Sequence, residues 1–225
     1  MYIAEVFHSI QGEGRFAGVP SLFIRASGCN LRCVWCDTPY TSWNPEGEER
    51  PLDSLLEEAE RFDCEHVVVT GGEPMLAPNV VPLTGRLTAA GHTVTIETAG
   101  TVDQPVSAAL VSISPKLSNS TPVGDAWEQR HDERRHRPDV IHRLTRDYDY
   151  QFKFVIDLPE DIVEVEQYLA GFPQVTGDRI YLMPQAIEAG PLREKSAWLR
   201  SEAQQRGWQL SPRLHIERFG NTRGT

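Results

Sequence analysis

The sequence predicts an α/β protein built as a partial, open (βα)6 TIM-like barrel. Short apolar runs of strand length recur along the chain, and segments with helical periodicity lie between most of them. Such alternation is typical of parallel strands joined by right-handed crossovers. About six such units are present, fewer than the eight that close a full barrel, so we expect the sheet to stay open.

The predicted strands share an apolar composition and turn residues at their ends, and they lie at 21–26, 66–70, 93–97, 110–114, 151–156 and 179–183. The predicted helices have apolar residues on one face, and they lie at 51–62, 80–90, 159–170 and 191–206. In parallel α/β folds the chemistry lies at the carboxyl ends of the strands. We therefore expect one site where five loops converge, namely those that begin at Ser27, Gly71, Thr98, Pro115 and Pro184.

The composition predicts a single domain over residues 1–225, because 225 residues with 40% hydrophobic content can form one core without stabilising disulfides or metal ions. A polar stretch at 118–149 is expected to be a long excursion between two strands. The formal net charge of −10 would repel a phosphate backbone, which favours a small-molecule substrate over nucleic acid. The apolar runs are too short to cross a bilayer and the N-terminus lacks a signal-peptide layout, so we expect a cytoplasmic protein without a membrane partner.

Three of the four cysteines, Cys29, Cys33 and Cys36, lie in one short segment, SGCNLRCVWCDT at 27–38. This clustering favours a metal site over a disulfide framework. Three thiols can hold three corners of a cubane cluster and leave one iron open to an exogenous ligand, whereas an electron-transfer cluster normally has four cysteine ligands. A structural zinc site is the alternative, but it needs a fourth ligand from Cys64 or a histidine, and none has a customary spacing. Cys64 itself is interpreted as a small buried residue that leads into a strand.

The C-x3-C-x2-C spacing, with Trp35 just before the last cysteine, resembles the signature of the radical S-adenosylmethionine (SAM) superfamily. The resemblance implies a [4Fe-4S] cluster on the three cysteines. The segment VVVTGGEP at 67–74 is similar to the superfamily's GGE motif, where exposed backbone approaches the amino group of SAM. Glycine suits that task because no Cβ blocks a close approach. The resemblance, with SISPK at 112–116 and YLMPQ at 181–185, implies SAM contacts at Trp35, Cys36, Asp37, Gly72, Glu97, Ser114, Pro115, Lys116 and Gln185.

Three further segments resemble the 7-carboxy-7-deazaguanine synthase family: FHSIQGEGRFAGVPSLFIRASGC at 7–29, CDTPYTSW at 36–43 and PRLHIERFGNTRGT at 212–225. A guanidinium can bind a carboxylate through two parallel hydrogen bonds, and Mg²⁺ favours hard oxygen ligands. The family commonly has tryptophan where this chain has Phe219, so Phe219 is given no role. The resemblance implies a magnesium ligand at Thr38 and a substrate site formed by Ile10, Gln11, Gly12, Glu13, Arg25 and Thr70.

The reaction implied by this resemblance is the ring contraction of 6-carboxy-5,6,7,8-tetrahydropterin to 7-carboxy-7-deazaguanine, with loss of ammonia, after hydrogen abstraction from C6. The product would feed queuosine-type nucleosides or 7-deazapurine natural products. The implied partners are a flavodoxin- or ferredoxin-like reductant and a second copy of the chain in a homodimer. The polar stretch also contains four arginines that could form a docking site for the reductant. We favour the interpretation that they form a solvated charged face: Arg130, Arg134, Arg135 and Arg137.

Two other functions stay open from the sequence. A glycyl-radical activase would also use C-x3-C-x2-C, but it would not need IQGEG at 10–14 or the terminal GN-x-RG. A zinc-stabilised binding module would use the cysteines and a histidine.

Overall fold

The computed structural model describes residues 1–62 and 64–225. The strands in chain order are β1 (Tyr2–Ile10), β2 (Pro20–Ala26), β3 (Glu48–Glu49), β4 (His66–Gly71), β5 (Thr93–Thr98), β6 (Leu110–Ile113), β7 (Tyr150–Ile156), β8 (Ile180–Pro184) and β9 (Gln209–Leu210). The α-helices are α1 (Pro39–Ser42), α2 (Leu52–Arg61), α3 (Val80–Ala89), α4 (Glu128–Arg135), α5 (Pro138–Asp147), α6 (Glu160–Ala170), α7 (Ala189–Arg206) and α8 (Leu214–Phe219).

The described strands form one sheet in the order β3-β1-β2-β4-β5-β6-β7-β8-β9. From β2 to β9 every neighbouring pair is parallel, whereas β1 runs antiparallel to both β2 and β3. The two edge strands, β3 and β9, do not pair with each other, so the sheet is open. The predicted partial barrel is confirmed, and its six predicted strands correspond to β2 and to β4 through β8.

Strand β1 was not predicted, and it extends the parallel sheet at its first edge. Its residues pair with β2 from Ile3 opposite Ala26 to Ile10 opposite Pro20. Most of its side chains are only partly buried, so the sequence lacks the continuous apolar run that indicates a fully buried parallel strand. The antiparallel pairing places the end of β1 and the loop at 11–19 beside the start of β2.

The hydrophobic core lies between the sheet and the helices that cover its outer face. Helix α2 buries Leu55, Leu56 and Ala59, and α5 buries Val140, Ile141 and Leu144. All seven residues of β7 are buried. A strand buried on both faces is what the crossover helices of a parallel sheet produce. No helix in the described part of the chain is long and apolar enough to span a bilayer.

The polar excursion at 118–149 contains more regular secondary structure than its composition indicates. It contains a short 3-10 helix at Ser118–Ser120, then α4 and α5, and it forms the crossover from β6 to β7. On its surface Arg135 pairs with Asp132 at 2.6 Å, and Arg137 pairs with Asp139 at 3.0 Å. These arginines therefore have local carboxylate partners on the excursion itself.

Candidate active site

A cavity of about 440 Å³ opens at the carboxyl ends of the parallel strands. Its wall combines the end of β1, the cysteine loop after β2, the turns after β4, β5 and β6, and residues 221–225. Four of the five loops expected to meet here therefore do so. The loop after β8 is the exception, because β8 reaches the wall only through Met183.

Most residues singled out in the sequence line this cavity. They are Ile10, Gln11, Gly12, Glu13, Arg25, Cys29, Cys33, Trp35, Cys36, Asp37, Thr38, Thr70, Gly72, Glu97, Ser114 and Lys116. Two residues expected near SAM, Pro115 and Gln185, are not part of the wall in the described structure. The backbone oxygen of Gln185 accepts from Lys195 Nζ at 2.7 Å, on α7.

The cysteine loop presents its three thiols to this cavity. The Leu31 N–H donates to Cys29 Sγ at 3.4 Å, and Cys36 Sγ lies 3.3 Å from Ser42 Oγ. Burial is the main cause that raises the pKa of Cys29 to about 11 and that of Cys33 to about 12. Without a metal these two groups are neutral thiols at pH 7, and bound iron would supply the positive charge that ionises them.

Cys64 lies away from this loop, as the sequence predicted. It precedes β4 and is therefore at the amino end of the parallel strands, opposite the cavity. The side chain is buried in the hydrophobic core. Its thiol donates to backbone oxygens of Pro20 and His66, each at 3.3 Å.

The donor set fits a cluster better than a single ion. Among residues 1–62 and 64–225, no three His, Cys, Asp or Glu side chains converge where one metal ion could bind. A zinc site therefore gains no support from the geometry. A cubane does not need such convergence, because its cysteines bind different irons at separate corners.

The GGE turn packs tightly against the start of the cysteine loop. Gly71 has φ of +144°, a conformation that L side chains rarely adopt. A Cβ on Gly72 would lie 2.3 Å from the carbonyl oxygen of Gly28, to which the Glu73 N–H donates at 2.9 Å. Glycine at position 72 is thus required by the backbone that leads into Cys29, independently of any approach by SAM.

Glu73 is a buried carboxylate that the sequence analysis did not single out. It accepts from Thr98 Oγ1 at 2.8 Å, from the Ala99 N–H at 2.8 Å and from the Met75 N–H at 3.1 Å. Burial raises the pKa of Glu73 to about 7, although these hydrogen bonds favour the ionised form. The side chain joins the turn after β4 to the end of β5, and so it shapes this part of the cavity.

Glu13 forms the centre of a buried network of charges. One carboxylate oxygen accepts from Lys153 Nζ, and the other accepts from Arg213 Nε at 3.2 Å. Arg213 also donates to Asp37, next to the last cysteine. Burial alone would raise the pKa of Glu13, but the nearby Lys153 and Arg213 hold it below its usual range. Glu13 is therefore an ionised acceptor at neutral pH, and a carboxylate has further lone pairs for a ligand.

Glu97 lies with the residues expected to bind substrate. Its carboxylate accepts from Gln11 Nε2 at 3.1 Å and from Thr70 Oγ1 at 2.9 Å, and it is 3.9 Å from Lys153 Nζ. Gln11 in turn accepts from the Glu13 N–H at 3.0 Å. One hydrogen-bonded network therefore contains four of the predicted site residues.

Arg25 faces the cavity rather than solvent. Its Nε donates to Glu5 Oε1 at 2.6 Å, and its guanidinium carbon is 5.5 Å from the centre of the Phe7 ring. Tyr40 donates to the same Glu5 oxygen at 2.7 Å. The terminal guanidinium nitrogens have no partner among the described contacts, so they are available to a ligand in the cavity.

On the other side of the cavity, Lys116 Nζ donates to Ser114 Oγ at 2.8 Å and lies 5.8 Å from the centre of the Trp35 ring. Within the described part of the chain, Lys116 Nζ forms no ion pair with a carboxylate, and Ser114 Oγ is its hydrogen-bond partner. The ammonium group is thus available to an anionic group bound beside the cysteine loop.

The C-terminal segment closes one side of the site. Arg223 pairs with Glu46 at 2.9 Å and lies 4.2 Å from the centre of the Tyr40 ring. A Cβ on Gly12 would lie 2.1 Å from His215 Nδ1, so the IQGEG loop and this segment pack directly on each other. Phe219 is 46% exposed and lies outside the wall.

Three charged residues of the cavity wall were not predicted from the sequence, namely Glu5, Lys153 and Arg223. Arg213, the buried partner of Glu13 and Asp37, was not predicted either. Lys153 did have a signal, because a lysine inside the otherwise apolar strand YQFKFVI needs a buried partner. Arg213 lies in the C-terminal segment whose resemblance was noted, but nothing local marks it as a partner of Glu13. Glu5 lies in β1, which was not predicted as a strand.

Comparison with known proteins agrees with this geometry. Residues 23–113 match the family model of the radical SAM superfamily. A 7-carboxy-7-deazaguanine synthase from Rhodopirellula baltica is 43% identical over 231 residues, covering 100% of this chain and 89% of the relative. One from Halobacterium salinarum is 40% identical over 227 residues, covering 95% and 88%.

Among solved structures, the crystal structure of QueE from Escherichia coli matches with a TM-score of 0.65 and 29% identity. The match covers 93% of this chain and 92% of that chain. The fold, the three-cysteine loop in the cavity and the full-length similarity agree with one another. The chain is therefore a radical SAM enzyme that belongs to the 7-carboxy-7-deazaguanine synthase family.

Proposed function

We propose that this chain converts 6-carboxy-5,6,7,8-tetrahydropterin into 7-carboxy-7-deazaguanine and ammonia. The observation that carries the proposal is the single cavity that contains the three-cysteine loop together with Glu13 and Arg25. Full-length relatives named for this activity support it. They also favour it over a glycyl-radical activase and over a zinc-stabilised module.

The cofactor side of the cavity would hold a [4Fe-4S] cluster on Cys29, Cys33 and Cys36, with SAM between the cluster and the strand ends. When bound, these groups supply the radical chemistry that removes a hydrogen from C6 of the pterin. The Lys116 ammonium and the backbone at Gly72 are suited to a carboxylate and an amino group, respectively. The remaining candidates for SAM contacts are Trp35, Cys36, Asp37, Glu97 and Ser114 in the cavity wall, and Pro115 and Gln185 outside it.

The substrate side would bind the pterin through its charged and amide-like edges. Arg25 would donate to the substrate carboxylate, because Glu5 engages only its Nε. Glu13 is held ionised and would accept from pterin N–H groups. Backbone groups of the loop around Ile10 and Gly12 line the same wall, next to Gln11 and Thr70.

Magnesium would bind on the substrate side of Thr38. Thr38 Oγ1 lines the cavity and lies 3.8 Å from Cys36 Sγ. The described side chains supply no convergent acidic set there. A Mg²⁺ ion at this position would therefore take most of its oxygen ligands from water and from the substrate, as weakly held magnesium commonly does.

The proposal extends to the partners of the reaction. A flavodoxin- or ferredoxin-like protein would supply the electron, and a homodimer is the proposed assembly. Unpaired thiols stay reduced in the cytoplasm, which is the proposed location. The product would enter the synthesis of queuosine-type nucleosides or of 7-deazapurine natural products.

Product analysis tests this function directly. Anaerobically reconstituted protein is incubated with the carboxytetrahydropterin, SAM and dithionite, and the products are identified by chromatography and mass spectrometry. We expect 7-carboxy-7-deazaguanine to form. Intact pterin in the presence of newly formed 5′-deoxyadenosine would overturn the proposed substrate while leaving the radical SAM assignment in place.

The matched controls in that experiment are Cys33→Ala and Cys64→Ala. Both remove a buried thiol, but only Cys33 faces the cavity. We expect Cys33→Ala to lose most of its iron and all product, and Cys64→Ala to keep both. Iron analysis of the purified variants measures the first effect, and an unaltered iron content in Cys33→Ala contradicts the cluster assignment.

The Arg25→Gln variant should bind the pterin substrate less tightly and should still cleave SAM. Loss of a hydrogen bond to a charged group costs about 1.5–3 kcal/mol, which is roughly one to two decades in affinity. We expect product formation at limiting pterin to fall by about that factor while uncoupled formation of 5′-deoxyadenosine survives. Arg143→Gln is the control, since Arg143 pairs with Asp103 on the surface. Normal product formation by Arg25→Gln at limiting pterin would show that Arg25 does not bind the substrate.

Metal dependence should be altered in Thr38→Ala. The substitution removes one hydroxyl ligand, so a higher Mg²⁺ concentration should be needed for half-maximal stimulation, while iron content and SAM binding stay unchanged. Rates are measured over a magnesium series after treatment with a chelator. A wild-type enzyme whose rate does not respond to chelation would exclude this role for Thr38.

A further inference from the structure

The polar excursion at 118–149 accepts hydrogen bonds from three donor groups of the cysteine loop. The Arg32 N–H donates to His131 Nδ1 at 3.0 Å, and the Val34 N–H donates to the Ser120 carbonyl oxygen at 2.9 Å. Trp35 Nε1 donates to the Asn119 carbonyl oxygen at 2.9 Å. Arg32 and Val34 flank Cys33, Trp35 precedes Cys36, and all the acceptors belong to the excursion.

The hydrogen bonds around His131 define its tautomer. The Ser120 hydroxyl donates to the Leu117 carbonyl oxygen at 2.6 Å, so its oxygen accepts from His131 Nε2, 3.0 Å away. The proton of a neutral imidazole is then on Nε2, which leaves Nδ1 as the acceptor for Arg32. His131 is 0% exposed, and burial, with the nearby Arg135, lowers its pKa to about 4. The acceptor is therefore maintained at neutral pH.

Peptide N–H groups near a cluster influence its chemistry. A hydrogen bond to a cluster sulfur stabilises the extra negative charge of the reduced state and so raises the reduction potential. In this loop the Leu31 N–H donates to Cys29 Sγ, whereas the neighbouring Arg32 and Val34 amides donate to the excursion. The excursion thus determines which amides can reach the sulfurs.

We propose that His131 is a positioning residue of the cluster: by accepting from the Arg32 amide, it keeps that donor away from the cluster sulfurs and holds the reduction potential low. This assigns to the excursion a role at the cluster, apart from any role of its surface arginines. The inference rests on the cluster of the proposed function but not on its substrate.

Two amide substitutions test the roles of the two ring nitrogens of His131 separately. His131→Asn retains an acceptor near the position of Nδ1, while His131→Gln retains a polar group near Nε2 and loses the acceptor for Arg32. His142→Gln is the control, because His142 lies on α5 of the same excursion and contacts Phe172 instead of the cysteine loop, with the ring centres 4.7 Å apart. The variants are reconstituted anaerobically without SAM or pterin, and the midpoint potential is measured by a redox titration monitored by electron paramagnetic resonance.

We expect a higher midpoint potential and an altered resonance signal in His131→Gln, and wild-type behaviour in His131→Asn and His142→Gln. Cluster loss confined to His131→Gln, in a protein that circular dichroism shows to be folded, also supports the proposal. Equal behaviour of the Asn and Gln variants, whether like wild type or both without a cluster, overturns it. Unfolding of His131→Gln likewise overturns it, because His131 would then serve the fold. None of these outcomes depends on product formation, so this proposal and the proposed substrate fail separately.

Discussion

The buried carboxylate of Glu13 is the interaction on which the cavity depends. It binds Lys153 in β7 and Arg213 just before α8, and Arg213 also binds Asp37 beside the cysteine loop. Four segments of the chain are therefore joined through one network, in which Arg213 links Glu13 to Asp37. A buried ion pair adds little net stability, but removal of one partner leaves an unpaired charge that costs about 3–5 kcal/mol. The network links these segments to one another beside the cavity.

The cavity wall of this acidic protein also contains cationic groups. The chain has a formal net charge of −10, yet its cavity wall contains Arg25, Lys116 and Lys153. An anion that leaves water for a partly closed site needs preformed donors to replace its hydration. Lys153 is occupied by Glu13, whereas Arg25 in β2 and Lys116 after β6 both line the cavity without such a direct pairing to Glu13. In the proposed function, the substrate carboxylate and the SAM carboxylate would each have a cation of its own.

Local sequence patterns predicted the parts of the molecule that local forces determine. The six central strands follow from apolar runs, and the cysteine loop and GGE turn follow from residues close together in sequence. Strand β1 was not predicted, because its side chains are mostly only partly buried and its sequence has no continuous apolar run. The Glu13–Lys153 and Glu13–Arg213 contacts join residues 140 and 200 positions apart, so only the fold brings them together. The hydrogen bond between Arg32 and His131 could not be predicted for the same reason, since the two residues are 99 positions apart.

The proposed function requires that this cavity place C6 of the carboxytetrahydropterin beside SAM at the three-cysteine loop. Substrate that contains deuterium at C6 tests this placement most directly, because the abstracted hydrogen should appear in 5′-deoxyadenosine. Mass spectrometry of the deoxyadenosine formed together with product should show incorporation of one deuterium. Product formation accompanied by unlabelled deoxyadenosine would contradict the claim.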